Sequence, residues 1–162
     1  MSNEPSFRTK EAFKIVGIER YTANGIPSIR EAWDQFGKRS QEIQHVTGSA
    51  AHGIEDYSRD FDMNKGGFPK YYYIAGLEVD SLADIPSGMT SKEIPAADYA
   101  VFTYLGPING LHEFFEFIYG EWMPKSGYSM DPKLSLDFER YPEPVMDMNH
   151  AQIEIWVPIV KG

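Results

Sequence analysis

The chain repeats itself once, and that repeat limits the possible folds more than any other feature. Sliding the sequence against itself by 81 or 82 positions brings three pairs of stretches together in order. GIPSIREAWDQF meets PINGLHEFFEFI, matching Ile26 with Ile108, Ile29 with Leu111, Glu31 with Glu113 and Trp33 with Phe115. DYSRDF (56–61) meets DFERYP (137–142), and YYYIAGLEV (71–79) meets QIEIWVPIV (152–160). An offset near half the length describes two copies of one supersecondary unit that bury their apolar faces together.

Each copy reads as strand, helix, strand, strand. In the first, AFKIVGIERYT is a strand ending at the turn ANGIP. Its helix carries Ser28 and Glu31 at capping-box spacing, with Ile29, Trp33, Phe36 and Ile43 at helical spacing. IEDYSRDFDM and YYYIAGLEV then form strands around the hairpin signal NKGGFP. In the second, DYAVFTYLG is the strand. Leu111, Phe114, Phe115, Ile118 and Trp122 make the apolar stripe of a helix that Pro124 should stop. LSLDFERY and QIEIWVPIV finish the unit.

The expected fold is therefore α+β: a tandem pseudo-twofold repeat of strand-helix-strand-strand units in one domain spanning residues 1–162. Repeat 1 covers about 12–80, a Pro-, Ser- and Gly-rich connector about 81–95, and repeat 2 about 96–160. Side by side, the units give a curved antiparallel sheet with two helices on one face. The opposite face is expected to be open, with a cleft on the pseudo-twofold axis where single-chain ligand sites favour repeat interfaces.

Composition removes several function classes. The net charge of −9 is spread along the chain and no basic stripe is visible, which argues against direct nucleic-acid binding. There is no cysteine, hence no disulfide, thiolate catalysis or thiolate metal site. His45, His52, His112 and His150 form no pair at metal-ligand spacing, so neither a metal nor a cofactor is expected. No apolar run reaches membrane-spanning length and the N-terminus lacks a signal-peptide core, so a cytoplasmic protein without membrane contact is expected.

Ten Tyr, ten Phe and three Trp leave more rings than one core of this size needs, and some lie beside acids. In the closing strand, Glu154 stands two residues from Trp156, so the pleat puts carboxylate and indole on one face. Burying that carboxylate unpaired costs several kcal/mol. Either Glu154 is a solvated strand residue, or its partner is a salt-bridging base (Arg140, Lys133 or Arg59) or a ligand. The repeat offset makes Tyr73 the counterpart of Glu154, so Tyr71 and Tyr73 should line the matching side while Tyr72 and Ile74 turn toward the helices. Glu139 and Tyr141 likewise share a face. By the same offset, Ser58 and Tyr73 stand where the second half has its glutamates, an asymmetry on a symmetric frame that points to function.

YYYIAGLEV, IPAADYAVFTYLGP, the helix end YGEWMPKSGY, FERYPE and the terminal IEIWVPI together resemble the GyrI-like, AraC-type effector-binding domain, the BmrR-like multidrug-binding fold. The resemblance covers about residues 10–160. It implies a pocket of aromatic rings around a buried acid that receives a small hydrophobic cation. Regulators of this family carry a DNA-binding helix-turn-helix before the domain. Only about a dozen residues precede the first expected strand here, so a stand-alone ligand-binding member is expected.

The candidate ligand-binding residues are Glu154, Glu139, Trp156, Tyr141, Tyr73, Tyr71, Tyr104 and Trp122, with the buried acid either Glu139 or Glu154. An alternative is a hydrolase of electrophilic cyclopropane-type compounds, as some GyrI-like proteins are. Glu154 or Glu139 would then be the general base and Tyr104 or Tyr73 a hydrogen-bond donor. A second alternative is a protein-interaction partner resembling the family's gyrase-inhibiting namesake, and a homodimer is left open.

Overall fold

The computed structural model describes residues 4–162, so residues 1–3 of the expected domain lie outside the described residues. The first half contains β1 (Ser6–Lys10), β2 (Phe13–Tyr21), α1 (Ile26–Arg39), β3 (Val46–Asp56) and β4 (Tyr72–Val79). The second contains β5 (Thr90–Ile94), β6 (Ala97–Gly106), α2 (Leu111–Phe117), α3 (Met123–Ser126), β7 (Tyr128–Met130), β8 (Leu136–Tyr141) and β9 (Ala151–Lys161). All strands join one antiparallel sheet in the order β1-β6-β9-β8-β3-β4-β2-β5, with β7 added to β9. No described helix is long and apolar enough to cross a membrane.

The two units, β2-α1-β3-β4 and β6-α2-β8-β9, meet where β3 runs beside β8. Each half also lends a strand to the other. β1 pairs with β6, and β5 pairs with β2. Sequence reasoning left both strands out, placing β5 inside the connector and β1 ahead of the first strand. SFRTK and TSKEI are short and polar, as suits the edges of a sheet. Inside the sheet Gly17 faces Gly76, and a Cβ on Gly17 would sit 2.1 Å from the Ala75 carbonyl oxygen. Glycine is what lets β2 and β4 approach so closely there.

The helices depart from expectation at their ends. No capping box forms at α1: Ser28 lies inside the helix, and its Oγ accepts the Asn24 amide at 3.1 Å. The helix ends at Arg39, and one 3₁₀ turn follows, so Ile43 is buried from beyond the helix. Pro124 does not stop the second helix. The chain passes from α2 through a π turn (Ile118–Trp122) into α3, where Pro124 occupies the first turn and its missing N–H is tolerated.

Strand alternation gives the sheet two unlike faces. Ile74, Ile54, Phe138, Trp156 and Val101 line up across five strands on one of them. With Phe13, Ile15, Ile94 and Tyr99 they form a core shared by both halves. Phe138 stacks on Trp156 at 5.5 Å and meets Phe13 and Tyr99 edge-on. Burying each such ring contributes about 1.5–3 kcal/mol, so this face holds the halves together.

The other face carries the helices and splits into separate clusters. Ile18, Tyr73 and Ala75 pack under α1, while Phe102, Ile153 and Ile155 pack under α2. Two sequence expectations are corrected here. The face away from the helices is not an open cleft, because the shared core fills it. And it is Tyr73, not Tyr72 or Ile74, that faces a helix. On the helix side, the pseudo-twofold axis passes where β3 and β8 pair.

Candidate functional site

Where β3 and β8 pair, Glu55 stands directly opposite Asp137, and Gly53 opposite Glu139. All three acids point to the helix side, with exposures of 3% for Glu55, 0% for Asp137 and 6% for Glu139. Like charges directly opposite each other destabilise a sheet. No ion pair among the described residues involves any of the three.

Tyrosines take the place that cations would otherwise fill. The Tyr57 hydroxyl donates to Asp137 Oδ2 at 2.9 Å, and the Tyr119 hydroxyl donates to the same oxygen. The Tyr73 and Tyr141 hydroxyls each donate to Glu139 Oε1 at 2.8 Å. Trp33 Nε1 donates in turn to the Tyr73 hydroxyl at 2.8 Å, fixing the phenol from α1.

Glu55 lies against both Asp137 and Glu139, and carboxyls in such contact require a proton between them. Burial, together with the negative charge of Glu139 and Asp137, pushes the Glu55 carboxyl well above its ordinary range. Burial also raises Asp137 and Glu139, while their hydrogen bonds from Glu55 and the tyrosines pull them back. The three carboxyls therefore share a proton. Apart from that proton, Glu55 Oε1 and Asp137 Oδ1 receive no hydroxyl or N–H donor.

Rings enclose the cluster. Trp33 on α1 meets Tyr141 edge-on at 5.1 Å, and Tyr57 meets Tyr71 edge-on at 5.3 Å. Phe68, from the segment between β3 and β4, stacks on Tyr71 at 6.2 Å and on His112 of α2 at 5.9 Å. That stack bridges the two halves above the acids. Gly53 makes the room: a Cβ there would lie 2.1 Å from the Tyr73 hydroxyl oxygen and 2.7 Å from Glu139 Oε1.

Of the candidates from sequence, Glu139, Tyr141 and Tyr73 are brought into hydrogen-bonding contact, and Tyr71 lies beside them. The others are elsewhere. Glu154 is paired across strands with Arg140, accepting Nη1 at 3.1 Å, and it also accepts Trp156 Nε1 at 3.0 Å. The carboxylate in the closing strand thus has its partner inside the protein, and with Trp156 it sits on the face away from the helices. Tyr104 donates to the Pro107 carbonyl and packs on Phe114 at 5.3 Å. Trp122 packs edge-on against Phe102 at 5.0 Å and stacks on Tyr128, so it fills the α2 side, away from the axis. Glu154→Gln should leave ligand affinity at the axial cluster unchanged in a binding titration. It should lower stability by less than about 1 kcal/mol, because the ion pair is partly exposed.

Sequence reasoning missed Glu55, Asp137, Tyr57, Tyr119, Trp33 and Gly53. A twofold that exchanges the Gly53–Glu139 pair with the Glu55–Asp137 pair makes Glu55 the counterpart of Glu139, an offset of 84. The offset of 81 put Ser58 there instead and hid the acid of the first half. For Asp137 the signal was present, since alternation in DFERY puts it on the face of Glu139.

The GyrI-like small molecule binding domain model matches residues 3–160. Over 154 residues the chain is 31% identical to the transcriptional regulator BrlR of Pseudomonas aeruginosa, covering 93% of this chain and 53% of that protein. It thus spans about half the length of that curated relative. The structure of SAV2435 bound to tetraphenylphosphonium superposes with a TM-score of 0.74 at 18% identity, covering 97% of this chain and 94% of that one. The EcmrR C-terminal domain superposes with a TM-score of 0.68 at 14% identity over 100% of both chains. These two likenesses show a common fold. Among the described residues no group of His, Cys, Asp and Glu is arranged to hold a metal ion.

Proposed function

The chain belongs to the GyrI-like small-molecule binding domain family, and we propose that it takes up a lipophilic organic cation at the carboxyl cluster between α1 and α2. One observation carries this reading: three carboxyls buried side by side on the central strands, with hydroxyls and a proton where a counter-charge would stand. A cation entering the cluster replaces that proton and gives Glu55, Asp137 and Glu139 the charge they lack. The faces of Trp33, Tyr57, Tyr71 and Tyr73 add cation–π attraction of about 0.5–2 kcal/mol per good contact. The tetraphenylphosphonium held by a protein of the same fold supports this class of ligand. Because the acids are buried, entry requires the side chains that cover them to part.

A titration with tetraphenylphosphonium, followed by tryptophan fluorescence, tests the reading. Trp33 hydrogen-bonds into the cluster, so its emission should change on binding. Glu139→Gln is expected to weaken binding about tenfold or more, because it removes a buried charge facing the cation. Affinity should also rise with pH, since carboxyls held above their usual range must lose a proton before the cation is fully paired. Unchanged affinity in both Glu139→Gln and Glu55→Gln, or equal affinity for neutral triphenylphosphine oxide, would show that charge is not what the site reads.

The hydrolase reading required Glu154 or Glu139 to act with Tyr104 or Tyr73. Tyr73 does touch Glu139, but Glu154 and Tyr104 have their hydrogen bonds elsewhere. The identity to a transcriptional regulator favours sensing over catalysis.

A further inference from the structure

We infer that the preferred ligand is a cation that donates hydrogen bonds, an aryl-bearing ammonium or amidinium, rather than a fully substituted onium ion. This rests on the cation reading above and narrows it. The deciding observation is which oxygens the protein leaves unserved. Four tyrosine hydroxyls converge on two atoms, Asp137 Oδ2 and Glu139 Oε1. Glu55 Oε1 and Asp137 Oδ1, on directly opposed residues of β3 and β8, receive no hydroxyl or N–H donor from the rest of the chain and have only a carboxyl proton between them.

A phenol that can accept as well as donate stands beside them. Tyr71 is buried, its hydroxyl has no hydrogen-bond partner among the described residues, and it lies within electrostatic reach of Glu55, Glu139 and Asp137. Once a cation displaces the carboxyl proton, the two carboxylate oxygens ask for N–H donors, and the chain supplies none. A quaternary nitrogen or phosphorus centre satisfies the charge but leaves these acceptors unpaired and out of water, which is the expensive half of any buried hydrogen bond. An ammonium or amidinium group supplies two or more N–H bonds together with the charge, and charge-assisted bonds are the stronger kind. The rings around the cluster then receive the aryl part of the same molecule.

A matched pair of probes tests this: (diphenylmethyl)ammonium, with N–H donors, and (diphenylmethyl)trimethylammonium, with none. Tetraphenylphosphonium and neutral diphenylmethanol complete the set, and binding is measured by calorimetry near neutral pH. The ammonium is expected to bind at least about tenfold more tightly than its trimethyl analogue. Tyr71→Phe should shrink that ratio. If the trimethyl compound binds as tightly as the ammonium, or if only tetraphenylphosphonium binds, the donor requirement is wrong and the cation reading stands. If diphenylmethanol matches both cations, or if none of the four binds, the cation reading itself is wrong.

Discussion

Gly53→Ala is expected to lower stability by about 2–4 kcal/mol and to abolish cation binding in the same step. The added methyl would stand 2.1 Å from the Tyr73 hydroxyl oxygen, 2.9 Å from its Cζ and 2.7 Å from Glu139 Oε1. None of these atoms is the loose end of a flexible side chain. Tyr73 is buried among Ile18, Ala32 and Ala75 and pinned by the Trp33 indole, while Glu139 is held by two phenols. The strands must therefore separate or the Tyr73–Glu139 bond must break. Thermal unfolding should show a Tm lower by roughly 5–15 °C for a domain of this length. Adding Tyr73→Phe removes the nearest clashing atom and should restore part of the loss. A Gly53→Ala protein as stable as the parent, with normal affinity for tetraphenylphosphonium, would mean that the packing around Glu139 is looser than described.

Glu55→Gln should act in the opposite sense on stability and in the same sense on binding. The Glu55 carboxyl is held well above its ordinary value of 4.5, and Asp137 and Glu139 are raised as well. The folded chain therefore binds more protons here than the unfolded chain. The cluster's contribution to stability is complete below the ordinary carboxyl range and is lost as pH rises through the raised one. His52 works from the other side. Buried beside Phe13 and Phe138, its imidazole is pushed down to about 4, so its contribution is present above its ordinary 6.5 and fades as pH falls. Stability of the parent should thus peak at an intermediate pH.

Glutamine at position 55 offers two amide hydrogens in place of the single proton that Glu55 shares between its neighbours, and it never ionises. The decline on the alkaline side should flatten. At pH 8 the variant should gain about 1–3 kcal/mol, or roughly 3–10 °C in Tm, while its affinity for tetraphenylphosphonium falls. Stability gained where function is lost is the mark of a site kept strained for its ligand. Denaturation across a pH series decides it: if Glu55→Gln is less stable than the parent at every pH, the three carboxyls are not in conflict.

The architecture was legible because it rests on periodicity. The repeat, the helix-side stripes around Trp33 and Phe115, and the antiparallel sheet all follow from where apolar residues recur. The direction in which a given strand faces was harder to read. Tyr73 and Glu154 were matched by offset and so assigned to one surface, yet they lie on opposite surfaces. The register that pairs Arg140 with Glu154 is a long-range fact, set by the shared core of Phe138 and Trp156. Glu55 escaped notice for a related reason. A three-residue difference in offset between β3 and its neighbours changes which residue meets Glu139, and low identity between the halves does not show it. Tyr119 was hidden differently, because a π turn begins one residue before it and resets the helical phase.

The exchange of β1 and β5 between the halves bears on how such a chain could arise. An isolated half would have its own arm free and one flank bare, and two identical halves would cure both defects by swapping arms as a symmetric pair. In that arrangement any residue near the axis occurs twice, so a glycine facing Glu139 would oblige a glycine in place of Asp137 as well. Joining the two into one polypeptide lifts that obligation. Gly53 can yield space while Asp137 supplies a carboxyl, and a pocket with a single correct orientation for its guest becomes possible.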